Sequence, residues 1–145
     1  MLIQKNYSVE YAHRLMDHNG KCKFLHGHSG KVKIVFDGEV TKETGMVVDF
    51  GTFEWLKTLV NLLDHSVVLQ QTDFLVKQLE PFSERMVRLE GPPTAENLCL
   101  FLEDLILAEM QCVSFTTAHT SLKLMSITFE ETEGNSVTLE NWRVK

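Results

Sequence analysis

The sequence is poor in the features that mark several large classes of protein. Its 145 residues include only three cysteines and three prolines, and acidic residues outnumber basic ones by 20 to 14. Three widely spaced cysteines do not make a disulfide framework, and they suit a reducing compartment such as the cytoplasm. Nucleic-acid-binding proteins normally carry a basic face, so a formal charge of −6 argues against that class.

Long apolar runs are also missing from the sequence. No stretch approaches the length of about 18 residues that a membrane span needs, and the first residues lack the charged-then-apolar pattern of a signal peptide. There is no internal repeat, low-complexity stretch or linker. Hydrophobic residues make up 43% of the chain and charged residues 23%, which is ordinary for a globular domain. We therefore expect one domain over residues 1–145, located in the cytoplasm, with no nucleic-acid or membrane partner.

Hydrophobic periodicity predicts an α+β fold. Alternating apolar residues predict five strands, at 2–13, 26–38, 46–50, 121–131 and 136–143. Helical spacing predicts one helix over 52–63 and another from an N-cap at Thr94 to about residue 110. The stretch 66–91 gives weaker signals, for a short helix near 73–79 and a strand near 85–89. This order of elements favours an antiparallel sheet with two helices packed on one face.

Three histidines share the apolar faces of the first two predicted strands. His13 is in phase with the apolar residues of the first strand, and His26 and His28 are in phase with those of the second. If these strands pair, three imidazoles converge on one side of the sheet. A catalytic zinc has three protein ligands and one open position, so the pattern predicts such a site. The alternative is a set of core histidines with satisfied hydrogen bonds, whereas His18 and His119 read as surface residues.

Cys22 and the Asp64-His65 pair each have two readings. Cys22 lies four residues before His26, in a polar connection, so its thiol could act as a base or be a fourth zinc ligand that closes the site. The carboxylate of Asp64 could fix the tautomer of His65 and relay a proton. Alternatively, the pair could simply end the first helix, where a histidine interacts favourably with the helix dipole. Cys99 and Cys112 read as structural thiols.

Glu131 is in phase with the apolar residues of its predicted strand, whereas Glu130 faces the other side of the sheet. An inward carboxylate needs a partner, and a ligand with paired N–H donors would suit it. The other reading places Glu131 beyond the core, at the end of the strand.

Taken in order, these motifs resemble the 6-carboxytetrahydropterin synthases, which belong with the 6-pyruvoyltetrahydropterin synthases. The segment from Cys22 to His28 matches the pattern Cys-x-x-x-His-Gly-His, and its three-residue gap resembles the carboxy-forming bacterial branch. The resemblance also covers segments 11–15, 45–50, 63–65, 93–97 and 131–132. The chain departs from the family at Ser29-Gly30, where an aromatic residue is frequent.

The resemblance implies a tunnelling fold, whose subunits join through their sheets into a barrel, usually as homohexamers. It also implies a zinc ion held by His13, His26 and His28, with the open position taken by oxygen atoms of the substrate side chain.

The same resemblance implies roles for the remaining candidates. Cys22 would be the base that abstracts a proton, and Asp64 with His65 would form a second relay that reaches a site completed by a neighbouring subunit. Glu131 would hold the pterin ring, with help from Thr94.

The implied activity is that of a zinc-dependent lyase. It would convert 7,8-dihydroneopterin triphosphate to 6-carboxy-5,6,7,8-tetrahydropterin, with acetaldehyde and triphosphate as by-products, in the pathway to queuosine and related deazapurines. Two alternatives remain: a 6-pyruvoyltetrahydropterin synthase, which eliminates triphosphate, and a non-catalytic module that binds zinc or pterin.

Overall fold

The computed structural model describes residues 1–112 and 122–141, which form six strands and three α-helices. The strands are β1 Leu2–His13, β2 His26–Asp37, β3 Ser66–Gln70, β4 Met86–Leu89, β5 Lys123–Thr132 and β6 Asn135–Glu140. The helices are α1 Glu54–Val60, α2 Phe74–Gln78 and α3 Ala95–Cys112. Short 3-10 turns occupy Lys21–Lys23, Phe50–Phe53 and Glu80–Arg85.

The six strands form one mixed sheet in the order β4-β3-β1-β2-β5-β6. Strands β1 and β2 pair antiparallel over their whole length, with Leu2 opposite Asp37 and His13 opposite His26. The pairings of β5 with β2 and of β6 with β5 are also antiparallel. Strands β3 and β4 instead extend the sheet in parallel, with α2 in the crossover between them. The α+β class is confirmed, and the antiparallel arrangement expected for the sheet holds for four of these six strands.

Strand β3 lies in the stretch whose sequence signals are weak. Its burial does not alternate, because Val68 and Leu69 are consecutive and both fully buried. A strand between two parallel neighbours is covered on both faces, so it lacks the period-two pattern by which strands are recognised. The short helix and the strand predicted farther along this stretch correspond to α2 and β4.

The prediction of a strand at 46–50 is wrong, because these residues form a loop that leads into a 3-10 turn. Thr41 N–H donates to the Met46 carbonyl at 2.9 Å and closes a loop. The Asp49 side chain then accepts from Gly51 N–H and begins the 3-10 turn. Helix α1 follows that turn, and it ends three residues earlier than the apolar spacing predicts.

Helices α1 and α3 pack on one face of the sheet, as expected. Side chains from both helices and from three strands are fully buried between the layers: Val9, Val32, Ile34, Phe36, Leu56, Leu98, Leu102, Ile106, Ile127 and Phe129. Cys99 lies in this core, as predicted, whereas the side chain of Cys112 and all of His119 fall outside the described part of the chain. No helix within residues 1–112 and 122–141 is long and apolar enough to cross a membrane.

Candidate metal and pterin site

The three predicted metal ligands converge at one end of the β1–β2 pair. The register places His13 opposite His26, with His28 two residues farther along the same face. The ring centroids are 4.7–5.0 Å apart. One ligand atom from each ring lies within 4.8 Å of the others, so the group could hold a metal ion. The strand phases in the sequence therefore predicted this convergence.

Backbone carbonyls fix the tautomers of two of these rings. Nδ1 of His13 lies 2.7 Å from the Pro93 carbonyl oxygen, and Nδ1 of His26 lies 2.7 Å from that of Phe24. A carbonyl oxygen only accepts, so each Nδ1 donates and each Nε2 keeps a lone pair. A hydrogen bond from the other ring nitrogen to a backbone carbonyl orients a histidine ligand in this way in many metal sites.

The Nε2 atoms of His13 and His28 are buried and make no hydrogen bond to the described residues. Buried polar atoms are nearly always satisfied, so two unsatisfied ring nitrogens in one cluster indicate a ligand. Burial lowers the pKa of both side chains below the usual histidine value. Both imidazoles are therefore neutral, which is the form that binds first-row metals such as zinc.

Glu131 lies beside the histidine cluster. Its Oε1 atom is 3.4 Å from His13 Nε2 and 3.9 Å from His28 Nε2. Glu130 is directed elsewhere, because its Oε1 atom pairs with Lys31 Nζ at 3.0 Å. A register shift between β5 and β6 falls at Glu131, and such bulges commonly redirect a side chain next to a functional site.

A second register shift corrects one detail of the predicted strand. The pairing of β5 with β2 slips between Val35 and Phe36, at the position of Met125. Leu124 is buried and Met125 is only partly buried, so Met125 does not share the core face as its phase predicts. The alternation of Ile127, Phe129 and Glu131 begins after this slip.

Glu131 and Thr94 line the same cavity, of about 390 Å³. Leu15, Glu96 and the turn between β5 and β6 form other parts of its wall. Thr94 is the N-cap expected for α3, since its Oγ1 atom accepts from Asn97 N–H at 3.4 Å. The cavity has the size of a small-molecule pocket, and Glu131 joins it to the histidine cluster.

Asp64 and His65 are joined to each other and to the backbone of β1. His65 Nδ1 is 2.9 Å from Asp64 Oδ2, and Glu10 N–H donates to Asp64 Oδ1 at 2.9 Å. The donation from Glu10, followed by the contact with His65, lowers the pKa of Asp64. His65 has a φ of 54°, in the left-handed region that non-glycine residues rarely adopt.

The structure does not bring this pair into the histidine cluster of the same chain. Tyr11 pairs with Ser66, so His65 lies level with Glu10. That position is three residues from His13, or about 10 Å along a strand. The His65 side chain is 74% exposed.

Cys22 lies in the 3-10 turn Lys21–Lys23 and is a partly exposed free thiol. The turn is held against the end of β1, because Leu15 N–H donates to the Cys22 carbonyl at 2.8 Å. Within the described residues, the group that could hold a metal contains the three histidines and not Cys22. Exposed His18, in the same connection, accepts from Gly20 N–H through Nδ1.

Sequence reasoning missed an ion pair next to the first histidine. The Arg14 guanidinium makes two hydrogen bonds to Asp73, of 2.6 and 2.9 Å, and the Asp73 side chain is fully buried. Asp73 also caps α2 by accepting from Leu75 N–H. The position of Arg14 beside His13 was the available signal, but nothing in the sequence pointed to Asp73 as its partner.

Comparison with known proteins agrees with this arrangement. The family model for 6-pyruvoyl tetrahydropterin synthase matches residues 2–141. The 6-carboxy-5,6,7,8-tetrahydropterin synthase of Rickettsia conorii is 36% identical over 129 residues, which cover 85% of this chain and 93% of the relative. A protein of Halobacterium salinarum, named as a probable enzyme of the same activity, is 36% identical over 118 residues, 77% of this chain and 76% of its own. The chain therefore belongs to the 6-pyruvoyl tetrahydropterin synthase family.

Solved structures share the fold at lower sequence identity. An uncharacterized protein from Wolinella succinogenes superposes with a TM-score of 0.79 and 23% identity, over 97% of this chain and 98% of its own. The 6-pyruvoyl tetrahydropterin synthase of Caenorhabditis elegans gives a TM-score of 0.68, also at 23% identity, over 97% of this chain and 95% of its own.

Proposed function

We propose that this chain is a 6-carboxy-5,6,7,8-tetrahydropterin synthase, a zinc-dependent lyase acting on 7,8-dihydroneopterin triphosphate. The observation that carries the proposal is the pair of buried, unsatisfied Nε2 atoms of His13 and His28 beside the carboxylate of Glu131. The relatives that bear this name support the carboxy-forming activity over the pyruvoyl-forming one.

Zinc is the metal that suits this donor set. His13, His26 and His28 supply three imidazole ligands and leave a coordination position open, which is typical of catalytic zinc sites. When bound, zinc would act as a Lewis acid toward the hydroxyl oxygens of the substrate side chain. The carbonyls of Pro93 and Phe24 hold two of the rings in the ligating orientation.

The substrate ring belongs in the cavity that Glu131 and Thr94 share. A carboxylate accepts two parallel N–H hydrogen bonds, and the amino-pyrimidine edge of a pterin offers two such donors. Glu131 therefore orients the ring so that the carbon chain of the substrate reaches the histidine cluster.

Cys22 and the Asp64-His65 pair would move protons at the substrate side chain. We assign Cys22 as the base because its partly exposed thiol lies in the turn just before His26, outside the group of metal ligands. The hydrogen bond between Asp64 and His65 suits a proton relay, with the carboxylate fixing the imidazole tautomer.

The exposure of His65 favours a shared active site. Its side chain lies at the surface, level with Glu10 and three residues along β1 from the level of His13, in a cavity whose wall also includes His28. We propose that it serves the cluster of a neighbouring subunit in a cytoplasmic homohexamer. The product would then feed the synthesis of queuosine and related deazapurines.

The mass of the reaction product tests the proposal. Zinc-loaded protein is incubated with 7,8-dihydroneopterin triphosphate and the pterin product is measured by mass spectrometry. The 6-carboxy product together with acetaldehyde is the expected result. A 6-pyruvoyl product would place the chain in the other branch of the family, and bound but unchanged pterin would make it a non-catalytic module.

A further inference from the structure

Tyr11 lies between the histidine cluster and Glu131. Its side chain is 4% exposed. Its ring lies edge-on to those of His13 and Phe129, with centroids 5.3 and 5.5 Å away, and 5.6 Å from that of His28. The residue therefore contacts two of the proposed metal ligands and the core strand that leads to Glu131.

Gly30 provides the space for this ring. A Cβ atom at Gly30 would lie 3.2 Å from Tyr11 Cε1 and 3.3 Å from the Glu130 carbonyl oxygen. Both contacts are tight, and one of them is to backbone that cannot turn away. The ring of Tyr11, reaching across from the neighbouring strand, thus fills the space that the absence of a side chain at Gly30 leaves.

The Tyr11 hydroxyl donates a hydrogen bond to Glu131 Oε1 at 3.4 Å. A phenol keeps its proton at neutral pH, so the Tyr11 hydroxyl serves as the donor in this contact. Within the described residues the Oε2 atom of Glu131 has no hydrogen-bond donor, so it remains available to a ligand in the cavity.

We propose that Tyr11 is a positioning residue that sets the orientation of the Glu131 carboxylate for pterin binding. Glu131 stands at a bulge, and its carboxylate lies within 4 Å of two histidines. The hydroxyl of Tyr11 holds Oε1 in place through one lone pair, and both oxygens keep a lone pair for the two N–H donors of the pterin. This inference rests on the proposed function, in which Glu131 is the pterin anchor.

The chain offers a matched control, because it contains only one other tyrosine. Tyr7 lies on the same strand and the same face, and its hydroxyl is buried with no hydrogen-bond partner among the described residues. Replacing either tyrosine by phenylalanine removes one buried hydroxyl and leaves the ring. Only Tyr11→Phe removes a contact with Glu131.

The experiment measures the Kd of zinc-loaded protein for 7,8-dihydroneopterin by calorimetry. It compares the unaltered chain with Tyr11→Phe, Tyr7→Phe, Glu131→Gln and the double variant of Tyr11→Phe with Glu131→Gln. We expect Tyr11→Phe to weaken binding by roughly 3- to 10-fold, as for the loss of one long hydrogen bond to a charged group. Tyr7→Phe should stay within about 2-fold. In turnover, Tyr11→Phe should raise KM more than it lowers kcat, and zinc content should not change.

A double-mutant cycle tests whether Tyr11 acts through Glu131. Glu131→Gln should weaken pterin binding, and adding Tyr11→Phe to that variant should weaken it no further. An equal loss in both backgrounds would overturn the inference, as would unaltered binding by Tyr11→Phe. Loss of zinc from Tyr11→Phe would also contradict it, because the hydroxyl would then support the metal ligands.

The same measurements separate this inference from the proposed function. If the unaltered chain fails to bind dihydroneopterin, or if Glu131→Gln binds it as well as the unaltered chain does, the assignment of Glu131 as the anchor is wrong. If Glu131→Gln weakens binding and Tyr11→Phe does not, the anchor stands and the role of Tyr11 is rejected.

Discussion

The histidine cluster and the Asp64-His65 pair differ in burial, in backbone conformation and in the hydrogen bonds that orient their rings. His13 is 2% exposed, and its tautomer is fixed by the carbonyl of Pro93, 80 residues along the chain. His65 is 74% exposed at its side chain, has a left-handed backbone and takes its hydrogen-bond partner from the residue before it.

This difference indicates that the two regions depend on different levels of structure. The histidine cluster is complete within one chain, because the β1–β2 register alone brings its rings together. The Asp64-His65 pair is built with a strained backbone, at a cost of about 1–3 kcal/mol, and is held by the backbone of Glu10 at the surface. We therefore expect metal binding to survive changes to the pair, and proton relay to require a second subunit.

The largest effect should follow from replacing a ligand of the cluster. His28→Ala should reduce zinc from one ion per chain to background, measured by elemental analysis of the purified protein, because two imidazoles do not complete the site. His18→Ala is the control, since His18 is a surface histidine of the same segment. Full zinc occupancy in His28→Ala would show that the cluster is not the metal site.

A smaller loss should follow from removing the thiol at the edge of the cluster. Cys22→Ala should retain zinc and lower kcat by roughly 10²- to 10⁴-fold, as expected for a general base. Zinc content and turnover are measured on the same preparation. Loss of zinc together with activity would instead make Cys22 a fourth ligand, and unchanged turnover would exclude it from the reaction.

Glu131→Ala should weaken pterin binding by at least roughly tenfold and leave zinc in place, because hydrogen bonds to a charged group contribute about 1.5–3 kcal/mol each. Glu130→Ala is the matched control, since that side chain pairs with Lys31. Calorimetry on both folded variants decides between them. A larger loss in Glu130→Ala would assign the anchor to the neighbouring residue.

The sequence was sufficient to predict the long antiparallel strands and the convergence of the histidines. Both depend on the alternation of apolar and polar residues along a strand. Strands β1 and β2 are long enough for that alternation to assign each residue to one face of the sheet. The position of Glu131 on the face of the site also followed from phase, although a bulge displaced Met125 from the same pattern. The roles of these residues in catalysis and binding stay predictions.

The features that escaped prediction all depend on contacts between distant segments. Strand β3 is covered on both sides, so its burial shows no alternation. Arg14 and Asp73 are 59 residues apart, and nothing local marks them as partners. The hydrogen bond from Tyr11 to Glu131 likewise requires the register of three strands, which periodicity alone does not supply.

Mixing two defective chains tests whether the histidine cluster and the relay of one active site come from different subunits. His28→Ala damages the cluster and Asp64→Asn damages the relay, so each variant alone should show little activity. If one subunit supplies the cluster and its neighbour the relay, some sites in mixed oligomers receive two intact halves. For random assembly at equal amounts that fraction is about one quarter, so activity should recover to roughly a quarter of the unaltered level.

The mixed oligomers are made by co-expression with two different affinity tags and purified over both, so that every assembly contains both chains. Oligomers of each single variant, purified in the same way, are the controls. Recovery well above both controls would place the relay and the cluster of one active site on different chains. Activity no higher than the sum of the controls would show that each chain uses its own Asp64 and His65.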